Sequence, residues 1–179
     1  KRLAAAGEWY DIVRMDHFRG LEAYWSVPYG DKTAKGGKWI EGPGIRFVNA
    51  VKTQLPKLDM IAEDLGFLTQ EVLDLRDASG FPGMKVLEFA FDSRDSGSAN
   101  DYLPHNYTEN AVVYTGTHDN ETVVGWFETI CTEDRSLARN YLCDYYTPEE
   151  EIYMPFIALA MSSVAKWCII PIQDYLGLD

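Results

Sequence analysis

Short apolar runs recur along the chain and are separated by more polar segments. The runs that are richest in strand-forming residues are residues 11–15, 58–62, 85–91, 111–115 and 167–172. Most of them are continuously apolar rather than alternating, which is typical of parallel strands covered on both faces. We therefore predict a buried strand in each run.

Helical patterns separate several of these runs. The predicted helices are residues 44–55, 69–78, 120–130 and a long segment from 147 toward 166. The first places Ile45, Val48 and Leu55 on one stripe. The last begins with a capping box at Thr147, followed by proline at the first helical position. Strands that alternate with helices predict an α/β fold built from βα units around a parallel sheet.

A carboxylate follows three of the predicted strands almost directly. The strings are RMDHFRG at residues 14–20, AEDLG at 62–66 and TGTHDN at 115–120. In β/α-barrel enzymes the chemistry takes place at this end of the strands. Several carboxylates in one pocket suit the breaking of a glycosidic bond, where one attacks, one donates a proton and others stabilise an oxocarbenium-like transition state. The candidates are Asp16, Glu63 and Asp119.

Asp16 has a charged neighbour on the same strand face. Arg14 and Asp16 are two residues apart at a strand end, so both side chains point to one side. A guanidinium beside a carboxylate keeps it ionised, which a nucleophile requires. A structural ion pair at the strand end is the alternative, and the pattern fits both equally.

Glu63 follows the apolar residues 60–62 and is expected to enter a partly desolvated pocket. Burial and a nearby anion favour the protonated carboxyl group that a general acid needs. Alternatively, Glu63 and Asp64 simply open the next turn. The spacing does not say which of the two is the acid.

His118, Asp119 and Asn120 could present an imidazole, a carboxylate and an amide to sugar hydroxyls. One alternative is a metal site shared with Asp16 and His17, although no HxH or HExxH spacing supports it. A second is that Asn120 caps the following helix, which does not exclude a catalytic Asp119.

Two stretches, residues 20–43 and 92–110, are predicted as long irregular loops. Loops of this length inside compact domains are usually functional or disordered, and the aromatic residues of the first stretch argue against disorder. Tyr24 and Trp25 could stack on sugar rings. Core packing is the alternative for each of them.

Composition narrows the range of partners. The 16 basic and 28 acidic residues give a net charge of −12, which repels nucleic acid and anionic membrane surfaces but not a neutral sugar polymer. No apolar stretch approaches the roughly 20 residues of a transmembrane helix. Cys131, Cys143 and Cys168 lack metal-binding spacing and are predicted to be buried, reduced thiols.

Length sets a further limit. The chain has 179 residues, whereas a complete β/α-barrel typically has about 250. We therefore expect residues 1–179 to be one piece of a single domain in a longer polypeptide.

The motifs together resemble one family, the 4-α-glucanotransferases or amylomaltases of glycoside hydrolase family 77. The resemblance covers essentially the whole chain and is carried by RMDHFRGLEAYW, GDKTAKGGKW, IAEDLG, GFPGMKVLEFAF, YLPHNY, TGTHDNET and PIQDYLGL. It implies part of a (β/α)8 barrel, roughly strands 4 to 8, so that residues 1–179 are the C-terminal portion of the catalytic barrel.

The resemblance also implies a role for each catalytic candidate. Asp16 is the implied nucleophile, Glu63 the general acid/base, and Asp119 the carboxylate that stabilises the transition state. Arg14 orients Asp16, and His118 binds the sugar at the cleavage site. The predicted substrate-binding residues are Arg14, His118, Asn120, Tyr24 and Trp25. The family's earlier strands and its aromatic lid loop lie outside this sequence, so the stretch alone is not expected to be active.

The implied reaction is a retaining transfer of an α-1,4-glucan segment to the 4-hydroxyl of another glucan or glucose, without a metal or organic cofactor. The expected partners are maltooligosaccharides, starch or glycogen chains. The expected location is the cytoplasm, or the plastid in a plant or alga. A hydrolase that uses the same carboxylates with water is the alternative, and a non-catalytic glucan-binding protein is a more distant one.

Overall fold

Parallel strands alternate with helices along the chain. The structure, a computed structural model, describes residues 1–66, 68–95 and 97–179. The strands are β1 (Ile12–Met15), β2 (Ala23–Ser26), β3 (Lys38–Glu41), β4 (Asp59–Ala62), β5 (Gly83–Val86), β6 (Ala111–Tyr114) and β7 (Trp167–Ile169). The helices are α1 (Arg2–Ala6), α2 (Gly44–Gln54), α3 (Gln70–Ser79), α4 (Val123–Thr129), α5 (Thr132–Leu142), α6 (Tyr153–Ser162) and α7 (Ile172–Tyr175). The chain divides into two units, Lys1–Gly83 and Met84–Asp179.

In the first unit, β1 and β4 pair in parallel, with Met15 opposite Ala62. Ala62 also lies opposite Gly83, the first residue of β5. A connection between parallel strands must return along the outside of the sheet, and α2 is the helix that does so between β1 and β4. The strands predicted at 11–15 and 58–62 are therefore confirmed, each one residue shorter at its start.

The core of the first unit is formed where α2 and α3 cover the strands. Its buried residues are Phe18, Val48, Val51, Met60, Ala62, Leu75 and Phe81. The apolar stripe of α2 was only partly predicted, because Val48 and Val51 are buried while Ile45 is exposed. Helix α3 follows the prediction closely and ends at Gly80, whose φ of 65° is the left-handed conformation that glycine adopts without strain.

The stretch 20–43 is not an irregular loop throughout. It contains an antiparallel hairpin in which β2 pairs with β3 and Trp25 lies opposite Trp39. Neither strand alternates apolar and polar residues regularly, so the pattern along the chain did not predict them. Cross-strand ring contact supplies the missing stabilisation: the two indoles meet edge to face with their centroids 5.4 Å apart.

In the second unit, which contains β5 from Met84 onward, the strand order is β5, β6, β7. β6 and β7 are parallel, with Val113 opposite Cys168. A core of aromatic and aliphatic side chains lies beneath α4, α5 and α6. Its buried residues are Leu87, Ala90, Phe91, Leu103, Tyr107, Val113, Val123, Phe127, Ala138, Ile152, Phe156 and Ala160.

Two predicted strands are shorter than expected. The run 85–91 is a strand only as far as Val86, and Leu87–Ala90 form a 3₁₀ turn whose apolar residues belong to the core of the second unit. An apolar run cannot by itself distinguish these two conformations. The run 167–172 ends as a strand at Ile169, since Pro171 has no N–H for the ladder and instead precedes α7.

The segment 147–166 is not one long helix. Residues Glu149–Glu151 form a 3₁₀ turn and α6 begins at Tyr153. The predicted capping box does not form, because the Thr147 hydroxyl donates to the carboxylate of Asp144 instead of capping the helix. Sequence also missed α5, a largely polar helix in which only Ala138 is buried.

The stretch 92–110 contains two short 3₁₀ turns, Ser93–Asp95 and Pro104–Asn106, and residue 96 lies outside the described residues. All three cysteines are free, as predicted, but they are exposed rather than buried. Cys131 and Cys143 lie at the two ends of the polar helix α5, and Cys168 lies in the exposed part of β7, so their apolar neighbours in sequence were misleading. Within the described part of the chain, no helix has both the length and the apolar character needed to cross a membrane.

The aromatic packing of the second unit gives a testable expectation. Phe156 is fully buried and contacts the rings of Phe91, Trp126 and Phe127. Phe156→Ala is expected to destabilise the protein by about 3–5 kcal/mol, since it leaves a cavity that the surrounding rings cannot fill. Urea unfolding of the intact polypeptide measures this. Met154→Ala on the same helix, at a side chain that is 55% exposed, is the matched control and should cost much less.

Candidate active site

Two of the predicted catalytic carboxylates follow paired strands. Asp16 comes directly after β1 and Glu63 directly after β4, and the last residues of these strands lie opposite each other. Because the strands are parallel, both residues leave the sheet at the same edge. The Glu63 N–H continues the ladder by donating to the Met15 carbonyl at 2.9 Å. The structure therefore brings the turn after β1 and the turn after β4 together, as predicted.

His17 is the residue that joins the two turns. Its backbone lies in the left-handed region, with φ and ψ both 51°, a conformation that costs a non-glycine residue about 1–2 kcal/mol. In this conformation its N–H donates to Oε2 of Glu63 at 2.6 Å, and the next N–H, of Phe18, donates to the Glu63 carbonyl at 2.9 Å. Strain of this kind is common at functional sites.

The half-buried Glu63 carboxylate is fixed at both oxygens. Oε2 accepts from His17, and Oε1 accepts from the N–H of Leu65 at 3.0 Å. Two hydrogen bonds from fixed backbone N–H groups hold the side chain in one orientation. Each oxygen keeps a second lone pair with which it can hold or receive a proton.

Asp64 has a different and structural partner. Its carboxylate is 4% exposed and accepts from Nη1 of Arg76 at 2.9 Å, within a buried ion pair. Gly83 makes room for this carboxylate, since a Cβ at that position would come within 2.6 Å of Oδ2. The sequence left open which of the two acids could act on a substrate. The geometry favours Glu63 as the acid that can reach a substrate, because Asp64 is buried and paired with the guanidinium of Arg76.

Arg14 lies beside Asp16 as predicted, but the contact is loose. Nη2 of Arg14 is 3.9 Å from Oδ1 of Asp16, and the Asp16 side chain is 81% exposed. An exposed pair at this distance contributes little to stability. The alternative of a purely structural ion pair is therefore weakened.

Tyr24 and Trp25 lie on the β2–β3 hairpin and are both exposed. Trp25 donates through Nε1 to the carbonyl of Ala34 at 2.9 Å, which leaves its ring held against Trp39. The guanidinium of Arg19, which precedes the hairpin, lies 4.7 Å from the ring centroid of Trp39. The rings of Trp25 and Trp39 are thus held in place without being buried.

His118, Asp119 and Asn120 lie in the second unit, in the loop between β6 and α4. Nε2 of His118 is 3.4 Å from Oδ2 of Asp119, and both side chains are exposed. Asn120 does not cap α4. Its Oδ1 closes the turn by accepting from the N–H and the hydroxyl of Thr117, at 3.0 and 2.7 Å. Thr122 is the cap, because its hydroxyl oxygen accepts from Gly125 and α4 therefore begins at Val123.

Two buried acids beneath this loop were missed by the sequence analysis. Asp174 on α7 is 1% exposed, and it accepts from the Thr115 hydroxyl and from the N–H of Val123. Glu88 is 4% exposed, and among the described residues its Oε1 has no hydrogen-bond partner. The only sequence signal is that each acid follows a strongly apolar run.

The carboxyl group of Glu88 is mostly protonated at neutral pH. Burial, together with the negative charges of Asp174 and Glu121, raises the pKa of Glu88 from its ordinary 4.5 to about 8. A neutral carboxyl group is the form that tolerates a site without a cation.

The suggested metal site has no geometric support. Among the residues that the structure describes, no group of three or more His, Cys, Asp or Glu side chains is arranged to hold a metal ion. In particular, Nε2 of His118 and the Asp119 carboxylate meet each other rather than a common centre.

Carboxylates that follow parallel strands, in a fold of alternating strands and helices, are typical of the α/β-barrel class of proteins. A family model described as 4-alpha-glucanotransferase, of the glycoside hydrolase 77 group, matches residues 1–179. The chain belongs to this family.

Individual relatives agree with the family match. The chain is 49% identical to a 4-alpha-glucanotransferase from Clostridium butyricum, over 99% of this chain and 36% of the relative. It is 52% identical to one from Synechocystis, over 99% of this chain and 35% of the relative. The structure of an amylomaltase from Streptococcus agalactiae in complex with acarbose matches with a TM-score of 0.89 and 36% identity, over 99% of this chain and 35% of that chain.

These matches confirm the predicted fold class, which is α/β and part of a (β/α)8 barrel. The chain spans about a third of the length of the curated relatives it matches.

The buried Glu88 gives a pH-dependent stability. An unfolded chain releases the Glu88 proton near pH 4.5, whereas the folded protein keeps it to about pH 8. Between these values the folded state holds more protons, so stability falls as the pH rises from about 4.5 to 8. The loss is on the order of a few kcal/mol.

Glu88→Gln, which cannot ionise, should be free of this loss. We expect the Tm of the wild type to fall relative to that of the variant between pH 5 and pH 8.5. The exposed Glu128 on α4 provides the control: Glu128→Gln should follow the wild type. An identical pH dependence in Glu88→Gln and wild type would contradict the assignment.

Proposed function

We propose that the chain is the C-terminal portion of the catalytic barrel of a 4-α-glucanotransferase. This enzyme transfers an α-1,4-glucan segment from a donor glucan to the 4-hydroxyl of an acceptor glucan or glucose. The observation that carries the proposal is the pairing of β1 with β4, which places Asp16 and Glu63 at one edge and ties Glu63 to the residue after Asp16. Family membership and the names of the relatives support it.

The proposed mechanism is a retaining double displacement. In the first step, a carboxylate oxygen of Asp16 attacks the anomeric carbon while Glu63 gives its proton to the departing glycosidic oxygen. The products are a glycosyl ester on Asp16 and a free 4-hydroxyl on the released glucan. In the second step, Glu63 removes the proton of the acceptor's 4-hydroxyl, the acceptor oxygen attacks the same carbon, and the Asp16 carboxylate leaves.

The observed contacts suit these two roles. Asp16 is exposed and has no hydrogen bond among the described contacts of its side chain, so its carboxylate is open to a sugar. Glu63 is held in one orientation by the N–H groups of His17 and Leu65. A general acid must meet the leaving oxygen in a fixed geometry, and this orientation reduces the entropy that must be lost.

The remaining residues are proposed to bind the sugar. Asp119 stabilises the positive charge of the transition state, and His118 binds a hydroxyl next to it. Arg14 orients Asp16, whose Oδ1 lies 3.9 Å from Nη2 of Arg14. Asn120 offers its amide nitrogen, since its oxygen is engaged by Thr117. Tyr24 and Trp25 offer exposed ring faces for stacking on glucose.

The proposed partners are maltooligosaccharides, starch or glycogen chains, and the chemistry needs neither a metal nor an organic cofactor. We propose a cytoplasmic location, or the plastid in a plant or alga. Transfer is preferred over hydrolysis because the named relatives are transferases. Product analysis distinguishes transfer from hydrolysis. A transferase makes glucose and longer chains from maltotriose, whereas a hydrolase makes only shorter chains.

Asp16→Asn in the full-length enzyme should reduce transfer between maltotriose molecules by about a thousandfold or more, because an amide cannot form the glycosyl ester. The change is nearly isosteric and Asp16 is exposed, so the Tm should change little. Asp59→Asn, at the exposed start of β4, is the matched control and should keep wild-type activity. Wild-type transfer by Asp16→Asn would exclude Asp16 as the nucleophile.

Glu63→Gln should also prevent turnover of maltotriose, but it should still react with α-maltotriosyl fluoride, because fluoride leaves without a proton. The glycosyl ester on Asp16 should then accumulate and be visible by intact mass, and peptide mapping should locate it. Asp64→Asn is the matched comparison. It should lower stability by breaking the pair with Arg76 while its folded fraction still transfers. A label on Asp64 would overturn the assignment.

A further inference from the structure

The loop from Thr115 to Thr122 carries His118 and Asp119, and one buried carboxylate holds both of its ends. The Thr115 hydroxyl donates to Oδ2 of Asp174, and the N–H of Val123, just beyond the loop, donates to Oδ1 at 2.8 Å. Asp174 is more than 50 residues away from both in sequence. With 1% exposure, it makes these bonds where water does not compete.

A second set of hydrogen bonds is formed within the loop itself, between Thr117 and Asn120. Asn120 accepts from the N–H and the hydroxyl of Thr117, and this closes the turn that contains His118 and Asp119. Both of these side chains are exposed, so neither is held by packing of its own. Their positions therefore depend on how firmly the backbone beneath them is fixed.

Glu88 restrains the same loop from another side. Its N–H donates to the Thr115 carbonyl at 3.3 Å. Its carboxyl group lies against Gly116, where a Cβ would come within 2.6 Å of Oε1. The start of the loop is thus fixed by Asp174 and Glu88 together, and Glu121 is the other acid near them.

We propose that Asp174 is a positioning residue of the transfer reaction, which acts through Thr115 and Val123 to hold His118 and Asp119 in their working geometry. This inference rests on the proposed function of Asp119. Asp174 itself touches no substrate. A catalytic group that is displaced by about 1 Å can lose a hundredfold in rate, so a loop with exposed catalytic side chains requires such an anchor.

The test removes one bond and leaves the others. Thr115→Val in the full-length enzyme has nearly the same shape but lacks the hydroxyl, while the bond between Asp174 and Val123 remains. Thr115→Ser keeps the hydroxyl and should therefore keep the wild-type kcat. The matched control is Tyr107→Phe, which removes another buried hydroxyl of the same unit, one that donates to the Tyr102 carbonyl at 2.8 Å.

We expect both Thr115→Val and Tyr107→Phe to lower the Tm, because each leaves a buried acceptor without its donor. Only Thr115→Val should lower kcat for maltotriose disproportionation, by about 10- to 100-fold, with a smaller change in KM. Thr115→Ser should restore kcat. Equal kcat values for Thr115→Val and wild type would overturn the proposal. Equal losses of kcat in Thr115→Val and Tyr107→Phe would also overturn it, because a general loss of stability would then explain both.

If Thr115→Val does not fold, Asp174→Asn replaces it. Its amide offers one acceptor oxygen where the carboxylate offers two, so kcat should fall in the same direction, and a wild-type value would overturn the proposal. Asp119→Asn separates this inference from the proposed function. If the wild type does not transfer, or Asp119→Asn transfers normally, the proposed function fails. If Asp119→Asn is inactive and Thr115→Val is fully active, only the positioning role fails.

Discussion

Because β1 and β4 run parallel with Met15 opposite Ala62, the residues that follow both strands leave the sheet at the same edge. The arrangement of Asp16 and Glu63 depends on this register. A shift of one residue would turn each side chain to the other face of the strand. The backbone secures the register beyond the strands themselves, since the N–H groups of His17 and Phe18 both donate to Glu63.

The buried acids show three answers to the same physical problem. Burial of a carboxylate without compensation is costly. Asp64 is compensated by the guanidinium of Arg76, and Asp174 by the Thr115 hydroxyl and the Val123 N–H. Among the described residues, Oε1 of Glu88 has no hydrogen-bond partner, and burial raises the pKa of Glu88 to about 8, so that the group is largely neutral at physiological pH. The exposed candidates, Asp16 and Asp119, stay in contact with solvent, so they incur no cost of burial and remain accessible.

The elements that sequence predicted well are those with a strong local signal. β6 is a short continuous apolar run, β1 and β4 are each apolar at three of their four positions, and α3 ends at a glycine that adopts the left-handed conformation. The elements it missed have weak local signals. α5 buries only Ala138, and the β2–β3 hairpin is stabilised by the contact between Trp25 and Trp39 across the strands. The start of α4 was misplaced because two polar residues, Asn120 and Thr122, were both suitable caps.

The sequence by itself determined the parallel α/β fold class and the residues that follow the strand ends, because apolar runs and the carboxylates after them are local patterns. Only the tertiary structure shows that Asp64 is buried in an ion pair while Glu63 lies half-buried beside the turn after β1, since the packing of α3 brings Arg76 to Asp64. The tertiary structure also links Asp174 to Thr115 and Val123 across more than 50 residues. Hydrogen bonds between such distant residues leave no periodic pattern in a sequence, and they form only once the chain has folded.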